Sequence, residues 1–209
     1  QDIVRRAEKR FGRKIYIIED ACHALGSLYK ERKVGSCAFS DLTVMSFHPV
    51  KHITTGEGGV VLTNDDGLQK RLRRLRSHGI TSTPSEFQNR TMAFQDADLD
   101  RHSLPNPWYY EQVELGYNYR ITDIQCALGL SQLRKLESYR RRRREIVALY
   151  NRSFENRSRI KIPYEDPRCE SNFHLYVLLL DFDQIGFSRA QFMVRLREKG
   201  VQAQVHYIP

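Results

Sequence analysis

The chain has 209 residues, of which 40% are hydrophobic, and it carries a net charge of +9. Such a chain can bury a substantial core without disulfides. It shows neither a signal peptide nor an apolar run long enough to span a bilayer, so we expect no association with a membrane. The positive charge leaves three explanations open: binding of nucleic acid, attraction of an anionic substrate such as a nucleotide-linked sugar, or a solvated helix face.

The cysteines and the two ends of the chain add two expectations. None of the four cysteines forms a Cys-x-x-Cys pair, and their spacing fits no zinc pattern, so we expect no metal site. Reduced thiols are typical of a cytoplasmic protein. The chain begins at Gln1 and stops at Pro209, directly after the hydrophobic "VHYI", so we expect a longer protein that has been cut at both sides.

The first half of the chain predicts strands that alternate with helices. Residues 2–10 have weak helical spacing, and "KIYIIEDA" predicts a buried parallel strand that ends at Glu19 and Asp20. "FSDLTVMSF" and "GGVVLTNDDG" predict two further strands, and "HPVKHITTGEGG" between them is irregular because of its proline and glycines. "LQKRLRRLRSHGI" predicts an amphipathic helix that stops at Gly79. Residues 81–110 predict a long surface loop.

The second half predicts two capped helices and two strands. "RITDIQCALGLSQL" begins a helix, with Thr122 as its cap and Gln125 completing a capping box. The helical pattern continues to Tyr150, which predicts a helix of about 30 residues, roughly 45 Å long. "FHLYVLLLDF" and "VQAQVHYI" predict strands. "SRAQFMVRLREKG" predicts a helix that Ser188 caps and Gly200 ends.

Strands that end in acidic residues, with helices and loops between them, predict an α/β fold with a mostly parallel sheet and flanking helices. Ligands bind such sheets at the carboxyl ends of the strands. This arrangement places Asp20, Ser46 and Lys51 near one rim.

Four stretches of the chain resemble the DegT/DnrJ/EryC1/StrS family of sugar aminotransferases. They are "IIEDACHALG", "SFHPVKHITTGEGGVV", "GYNYRITDIQCALGLSQL" and "VHYIP". The second is the most specific, because Ser-Phe-His-x-x-Lys followed by Gly-Glu-Gly-Gly is rarely seen by chance. The resemblance implies the fold-type-I pyridoxal-phosphate architecture. Residues 1–135 would then be part of the cofactor-binding large domain, and residues 136–209 a linking helix and part of the small α+β C-terminal domain.

Within the family, the sequence of these stretches is most similar to the enzymes of the pseudaminic acid route. This similarity implies transfer of an amino group from glutamate to a UDP-linked 4-keto-6-deoxy-N-acetylhexosamine, for cell-surface glycans. It also implies pyridoxal 5'-phosphate as cofactor and a homodimer with a shared active site, and it gives no reason to expect nucleic acid as a partner. Some relatives dehydrate sugars instead, but they tend to replace the family lysine with histidine, and this chain keeps Lys51.

The resemblance assigns cofactor roles to four residues of the subunit's own site. Lys51 would form the Schiff base with the cofactor aldehyde and later move the substrate proton. Asp20 would keep the ring nitrogen protonated, and Glu19 alternates to the other face of the strand. Ser46 would bind the phosphate, and His23 would lie near the 3-oxygen. The alternatives are that Lys51 is an ordinary loop lysine, Asp20 a turn acid, Ser46 a strand-end serine and His23 a structural histidine.

Further assignments concern the partner subunit and the substrate. Asn118 in "GYNYR" resembles the asparagine that reaches the phosphate from the neighbouring subunit; the alternative is a turn residue before a helix. Arg120 presents a fork suited to phosphate or carboxylate, and His206 and Tyr207 match a family segment near the sugar site. Tyr117 is either a core residue or a substrate contact.

The sequence departs from the family pattern in one respect. No aromatic residue clearly matches the one that stacks on the cofactor ring, and no Gly-Thr turn for the phosphate precedes a helix. The family places both features upstream of the first strand predicted here. We therefore expect an N-terminally truncated chain that binds the cofactor poorly or not at all.

Five consecutive arginines, residues 140–144, raise a rival hypothesis. Such a block binds nucleic acid or another polyanion in some proteins. The chain would then be an inactive fragment or a non-catalytic binding module. The helix around the arginines has leucines on one face and acids at Glu137 and Glu145, and no aromatic nucleic-acid motif accompanies it. These features favour a solvated helix face.

Overall fold

The structure is a computed structural model that describes residues 1–95 and 104–206. The helices are α1 (Asp2–Phe11), α2 (Asp66–Arg76), α3 (Arg90–Ala93), α4 (Asp123–Leu133), α5 (Leu136–Phe154), α6 (Phe182–Ile185) and α7 (Arg189–Glu198). The strands are β1 (Ile18–Asp20), β2 (Leu28–Tyr29), β3 (Arg32–Lys33), β4 (Leu42–Ser46), β5 (Gly59–Leu62), β6 (Ile80–Thr81), β7 (Glu111–Gln112), β8 (Ile160–Lys161), β9 (Cys169–Glu170) and β10 (Leu179–Leu180).

The sheet that positions the site is built from β1, β4 and β5, in that order, with β4 in the centre. β1 runs parallel to β4, with Asp20 opposite Val44, and β5 runs antiparallel to β4, with Gly59 opposite Ser46. The α/β class is confirmed. The sheet is mixed rather than mostly parallel in the part of the chain that is described, because the turn after Lys51 returns the chain directly beside β4.

The predicted helix ends are confirmed where a side chain caps them. Thr122 and Gln125 form the predicted capping box of α4, and Ser188 forms another with Gln191 at α7. These caps satisfy backbone N–H groups that have no partner inside a helix. After α2 the chain turns at Gly79, which has a φ of 71°.

The helix of about 30 residues that we expected is divided in two. α4 ends at Leu133 and α5 begins at Leu136. Between them the Lys135 N–H donates to the Gln132 carbonyl, three residues back, at 2.9 Å. This tighter turn interrupts the helical pattern. The break falls at the predicted domain boundary between residues 135 and 136, which stays a prediction.

Two segments differ from their sequence-based predictions. Residues 81–110 are not a simple loop, because β6 pairs with β7 and Phe87 packs edge-on against Tyr109 at 4.9 Å, beside the buried Ala93 and Phe94. The strand predicted for "VQAQVHYI" is wrong for residues 201–206, which form no strand and are exposed. A strand needs a neighbour to satisfy its backbone, and none of the described strands pairs with this segment.

A second small sheet ties the two halves of the chain together. β2 lies between β3 and β9, and Leu28 is opposite Glu170. The four cysteines are free thiols. Among the helices described, none is both long and apolar enough to cross a membrane.

Candidate active site

Lys51 lies on a loop that is closed at its base, residues 47–58, called the Lys51 loop below. The Phe47 N–H donates to the Gly58 carbonyl at 2.8 Å, and the Phe47 carbonyl accepts from the Thr55 N–H at 3.0 Å. Gly58 has a φ of 149°, and a Cβ there would collide with the Thr55 hydroxyl, so this position requires glycine. Lys51 itself is half-buried. The sequence motif therefore produces a defined loop that holds one lysine.

Asp20 and Ser46 end the parallel strands β1 and β4 at the rim that carries the Lys51 loop. Hydrogen bonds from Cys22 hold the pKa of Asp20 below its usual value, and the charges of His23 and Lys51 lower it further. Asp20 is therefore an exposed, ionised carboxylate. Glu19 accepts a hydrogen bond from the buried Thr43 at 3.1 Å, which agrees with its predicted orientation to the other face.

Ser46 is half-buried, and its Oγ accepts a hydrogen bond from the His48 N–H at 3.3 Å. This is the backbone bond expected of a strand-end serine. Because the hydroxyl acts only as an acceptor here, its own proton can still be donated to a phosphate oxygen. Both the structural role and the predicted binding role are compatible with this geometry.

Four histidines form a cluster next to Lys51: His23, His52, His174 and His206. The ring of His174 lies 4.2 Å from that of His23 and 5.1 Å from that of His52, and the rings of His23 and His206 are 6.3 Å apart. The structure thus brings together two predicted site residues, His23 and His206. It adds His52 and His174, for which the sequence predicts no role.

Of the two added histidines, His52 is buried and His174 is half-buried, and both are uncharged at neutral pH. His52 is 5% exposed, and burial, followed by the charge of Arg143, lowers its pKa to about 4. Burial likewise lowers the pKa of His174 to about 4, with repulsion from His23 and Lys51 adding to the effect. Neither nitrogen of His52, nor Nδ1 of His174, has a hydrogen-bond partner within the described residues. Burial and the charge of Lys51 also lower the pKa of His23.

Within the described residues, neither Asn118 nor Arg120 makes a hydrogen bond or ion pair with Lys51. Asn118 forms a backbone bridge with Ser77, and the side chains of Asn118 and Arg120 are exposed. Helix α4, which follows them, does contact the Lys51 loop, because the Gln125 side chain donates to the Glu57 carbonyl at 3.0 Å. The predicted substrate residue Tyr207 lies outside the described residues.

The arginine block, residues 140–144, is largely engaged within the chain. Arg140 pairs with Glu137 and Glu170, and Arg142 with Glu145. Arg144 pairs with Glu165 at 2.8 Å. Arg143 donates to the carbonyls of Phe173 and His174. These contacts neutralise much of the block, so the structure gives no support to a polyanion-binding surface on this helix.

Comparison with known proteins agrees with the geometry. The model of the DegT/DnrJ/EryC1/StrS aminotransferase family matches residues 4–209. The UDP-4-amino-4,6-dideoxy-N-acetyl-beta-L-altrosamine transaminase of Campylobacter jejuni is 41% identical over 198 residues, which cover 93% of this chain and 45% of that protein. The chain spans about half the length of the curated relatives it matches.

Two solved structures show the same fold. Helicobacter pylori PseC, an aminotransferase involved in pseudaminic acid biosynthesis, has a TM-score of 0.78 at 31% identity, covering 100% of this chain and 49% of its own. The PLP form of Spr1654 from Streptococcus pneumoniae, assigned as a sugar aminotransferase, has a TM-score of 0.73 at 31% identity, covering 96% of this chain and 46% of its own. The fold-type-I assignment is thereby confirmed.

Proposed function

The chain belongs to the DegT/DnrJ/EryC1/StrS aminotransferase family, and on that premise we propose that the full-length protein is a pyridoxal-phosphate-dependent sugar aminotransferase. One observation carries the proposal. The half-buried Lys51 and the ionised Asp20 interact electrostatically at the carboxyl ends of β1 and β4, the edge at which α/β sheets bind ligands. Amine and carboxylate at this place are what the reaction requires.

The residues present fit the cofactor by their chemistry. When bound, pyridoxal phosphate acts as an electron sink for the substrate carbon, provided that its ring nitrogen stays protonated. The ionised Asp20 is suited to hold that proton. The Lys51 amine is the group that would hold the cofactor and move a proton at the substrate carbon. The Ser46 hydroxyl would donate to the phosphate, and His23 would lie near the ring.

For the substrate we infer a UDP-linked 4-keto sugar with glutamate as amino donor. The name of the Campylobacter jejuni relative, a transaminase of a UDP-linked dideoxy sugar, supports this class. Arg120, His206 and Tyr207 are the proposed substrate-binding residues. The exposed guanidinium of Arg120 makes no hydrogen bond or ion pair within the described chain, so it is available for a phosphate or carboxylate.

We further infer a cytoplasmic homodimer in which Asn118 serves the partner's site. Its side chain is exposed and makes no hydrogen bond within the described chain. It is flanked by Tyr117 and Tyr119, whose rings stack at 4.8 Å. Exposed aromatic rings are enriched at protein interfaces. An exposed segment with this composition is suited to reach a second subunit.

The cofactor role of Lys51 is tested in the full-length protein with Lys51→Ala. We expect that the absorbance band of the bound cofactor disappears, because the variant lacks the amine that forms the bond to it. Borohydride treatment of the wild type should attach the cofactor mass to a peptide that contains Lys51. Lys161→Ala, at an exposed lysine on β8, is the matched control and should leave both results unchanged. An unaltered spectrum in Lys51→Ala would contradict the proposal.

The shared site is tested by mixing two inactive variants, Lys51→Ala and Asn118→Ala. If each site takes Lys51 from one subunit and Asn118 from the other, a mixed dimer contains one intact site. Random reassociation should then restore about a quarter of wild-type activity. Failure to recover activity, although mixed dimers are present by mass spectrometry, would show that Asn118 does not act across an interface.

A further inference from the structure

The segment at residues 165–174, called the docking segment below, is fastened to two separate elements. From α5, Arg144 binds Glu165 and the Ser171 carbonyl, each at 2.8 Å. From the other side, the Asn172 N–H donates to the Ser27 hydroxyl at 2.9 Å, and the Asn172 side chain donates to the Leu25 carbonyl. The end of the segment therefore has a fixed position between α5 and the stretch that follows Asp20.

Arg143 completes this attachment at the end that carries His174. Its guanidinium donates to the carbonyls of Phe173 and His174, at 3.3 and 3.5 Å. Phe173 has a φ of 46°, a left-handed conformation that is costly for a bulky residue. Such a conformation persists only where the surroundings hold it, and here it directs the next side chain, His174, into the histidine cluster.

His174 in turn contacts the two stretches that carry the candidate catalytic groups. Its ring meets His23, which lies three residues after Asp20, and His52, which follows Lys51 directly. His52 is buried in the Lys51 loop, so its position restricts the backbone of Lys51. A continuous set of contacts thus leads from Arg143 through His174 and His52 to the Lys51 backbone.

We propose that His52 and His174 are positioning residues, an imidazole pair that Arg143 holds against the Lys51 loop to fix Lys51. The proposal rests on the proposed cofactor role of Lys51. It gives the arginine block a function inside the protein, since Arg143 and Arg144 fasten the docking segment that supplies half of the pair. Neither histidine needs to touch the cofactor or the substrate.

Burial, and after it the charges around the pair, lower the pKa of both histidines. His52 faces the positive groups Arg143 and Lys51 as well as His174 and His23, and His174 also faces His206. A proton on either ring would be repelled by these groups and would be poorly solvated. Removal of the Arg143 charge should therefore raise the pKa of both histidines, whereas removal of an arginine that does not face them should not.

The experiment compares two neighbouring arginines in the full-length protein. Arg143→Met removes the charge and the donors but keeps the apolar stem. Arg142→Met is the matched control, because the Arg142 side chain is 71% exposed and its one ion pair among the described residues is with Glu145, one turn along α5. Histidine titration is followed by NMR with carbon-13-labelled histidine, and affinity for pyridoxal phosphate by absorbance.

For Arg143→Met we expect the titration midpoints of His52 and His174 to rise. We also expect the Kd for the cofactor to rise about tenfold, equivalent to about 1.4 kcal/mol, the size of a hydrogen bond to a charged group. Arg142→Met should match the wild type in both measurements. Arg143→Lys, which keeps the charge but loses the fork, should leave the midpoints near those of the wild type and still weaken cofactor binding.

The proposal is overturned if Arg143→Met behaves like Arg142→Met, or if the wild-type His52 and His174 titrate near the ordinary histidine pKa. Should Arg143→Met fail to fold, Arg143→Lys decides by its cofactor Kd: a raised value supports the proposal, and a wild-type value overturns it. Failure of the proposed function can be distinguished from failure of this proposal, because it appears as an unaltered cofactor spectrum in Lys51→Ala. The histidine titration does not depend on the cofactor.

Discussion

At the scale of single residues, His52 makes stability depend on pH. Its pKa in the folded chain is about 4, against about 6.5 for an unperturbed histidine. Between these values the unfolded chain binds more protons than the folded chain, so the free energy of unfolding rises with pH. This contribution is fully present above about pH 6.5 and is lost as the pH falls to about 4, with a magnitude of about 3 kcal/mol.

We expect His52→Gln to reduce this pH dependence, since glutamine does not titrate. The measurement is urea unfolding at several pH values between 4 and 7. The slope of the free energy of unfolding against pH is compared between the variant and the wild type. His78→Asn is the control: it removes a histidine outside the cluster, at a φ of 63° that asparagine tolerates. Equal slopes for His52→Gln and the wild type would show that His52 does not titrate with a lowered pKa.

The site residues differ in how far the sequence reveals them. Lys51 and Ser46 lie in one continuous motif, and Asp20 ends a recognisable apolar run, so their placement at one rim follows from the order of strands. His174 is 123 positions beyond Lys51 in the chain. Nothing local predicts its contact with His52, because that contact depends on Arg143 and on the left-handed Phe173. The one sequence signal was a single polar residue at the start of "FHLYVLLL".

At the scale of elements, the N-terminal cap of α4 and the Lys51 loop share one residue, Gln125. Thr122 caps the helix, and Gln125, its partner in the capping box, also donates to the Glu57 carbonyl in that loop. Thr122→Ala should lower the free energy of unfolding by about 1 kcal/mol, the usual cost of losing such a cap. Urea unfolding of the full-length protein measures the effect.

Thr122→Ser is the control, because serine retains the capping hydroxyl and should cost little. Gln125→Ala should cost more than Thr122→Ala, since it removes the bond to Glu57 as well as half of the capping box. If Thr122→Ala and Thr122→Ser were equally stable, the capping box would contribute nothing measurable at this helix.

Helices were better predicted than strands for a physical reason. The caps Thr122 and Ser188 are local, and each satisfies backbone groups a few residues away, so the sequence alone specifies them. A strand is defined by its neighbour instead. In "FHLYVLLLDF" only Leu179–Leu180 forms a strand, because only these residues pair with β8. The division between α4 and α5 depends on a single tight turn. The sequence does not predict it, because the helical spacing of the residues continues across the turn.

At the scale of the whole molecule, Asn172 is one of the points at which the two halves of the chain meet. It is 1% exposed, and it binds Ser27 and Leu25 from the other half of the chain. The adjacent pairing of β2 with β9 joins the same two stretches. Loss of the Asn172 side chain therefore weakens the connection between the predicted large domain and the docking segment.

We expect Asn172→Ala to lower the free energy of unfolding by about 1–3 kcal/mol, because the partly buried Leu25 carbonyl loses its donor. Amide hydrogen exchange should accelerate in the docking segment and β2, and little in α2 or α7. Asn64→Ala removes a comparable side-chain bond to a carbonyl, at 2.9 Å on an exposed residue, and should cost far less. Faster exchange spread evenly over the protein would indicate general loss of stability. Faster exchange confined to these two stretches means that one buried amide fastens the docking segment to the stretch that follows Asp20.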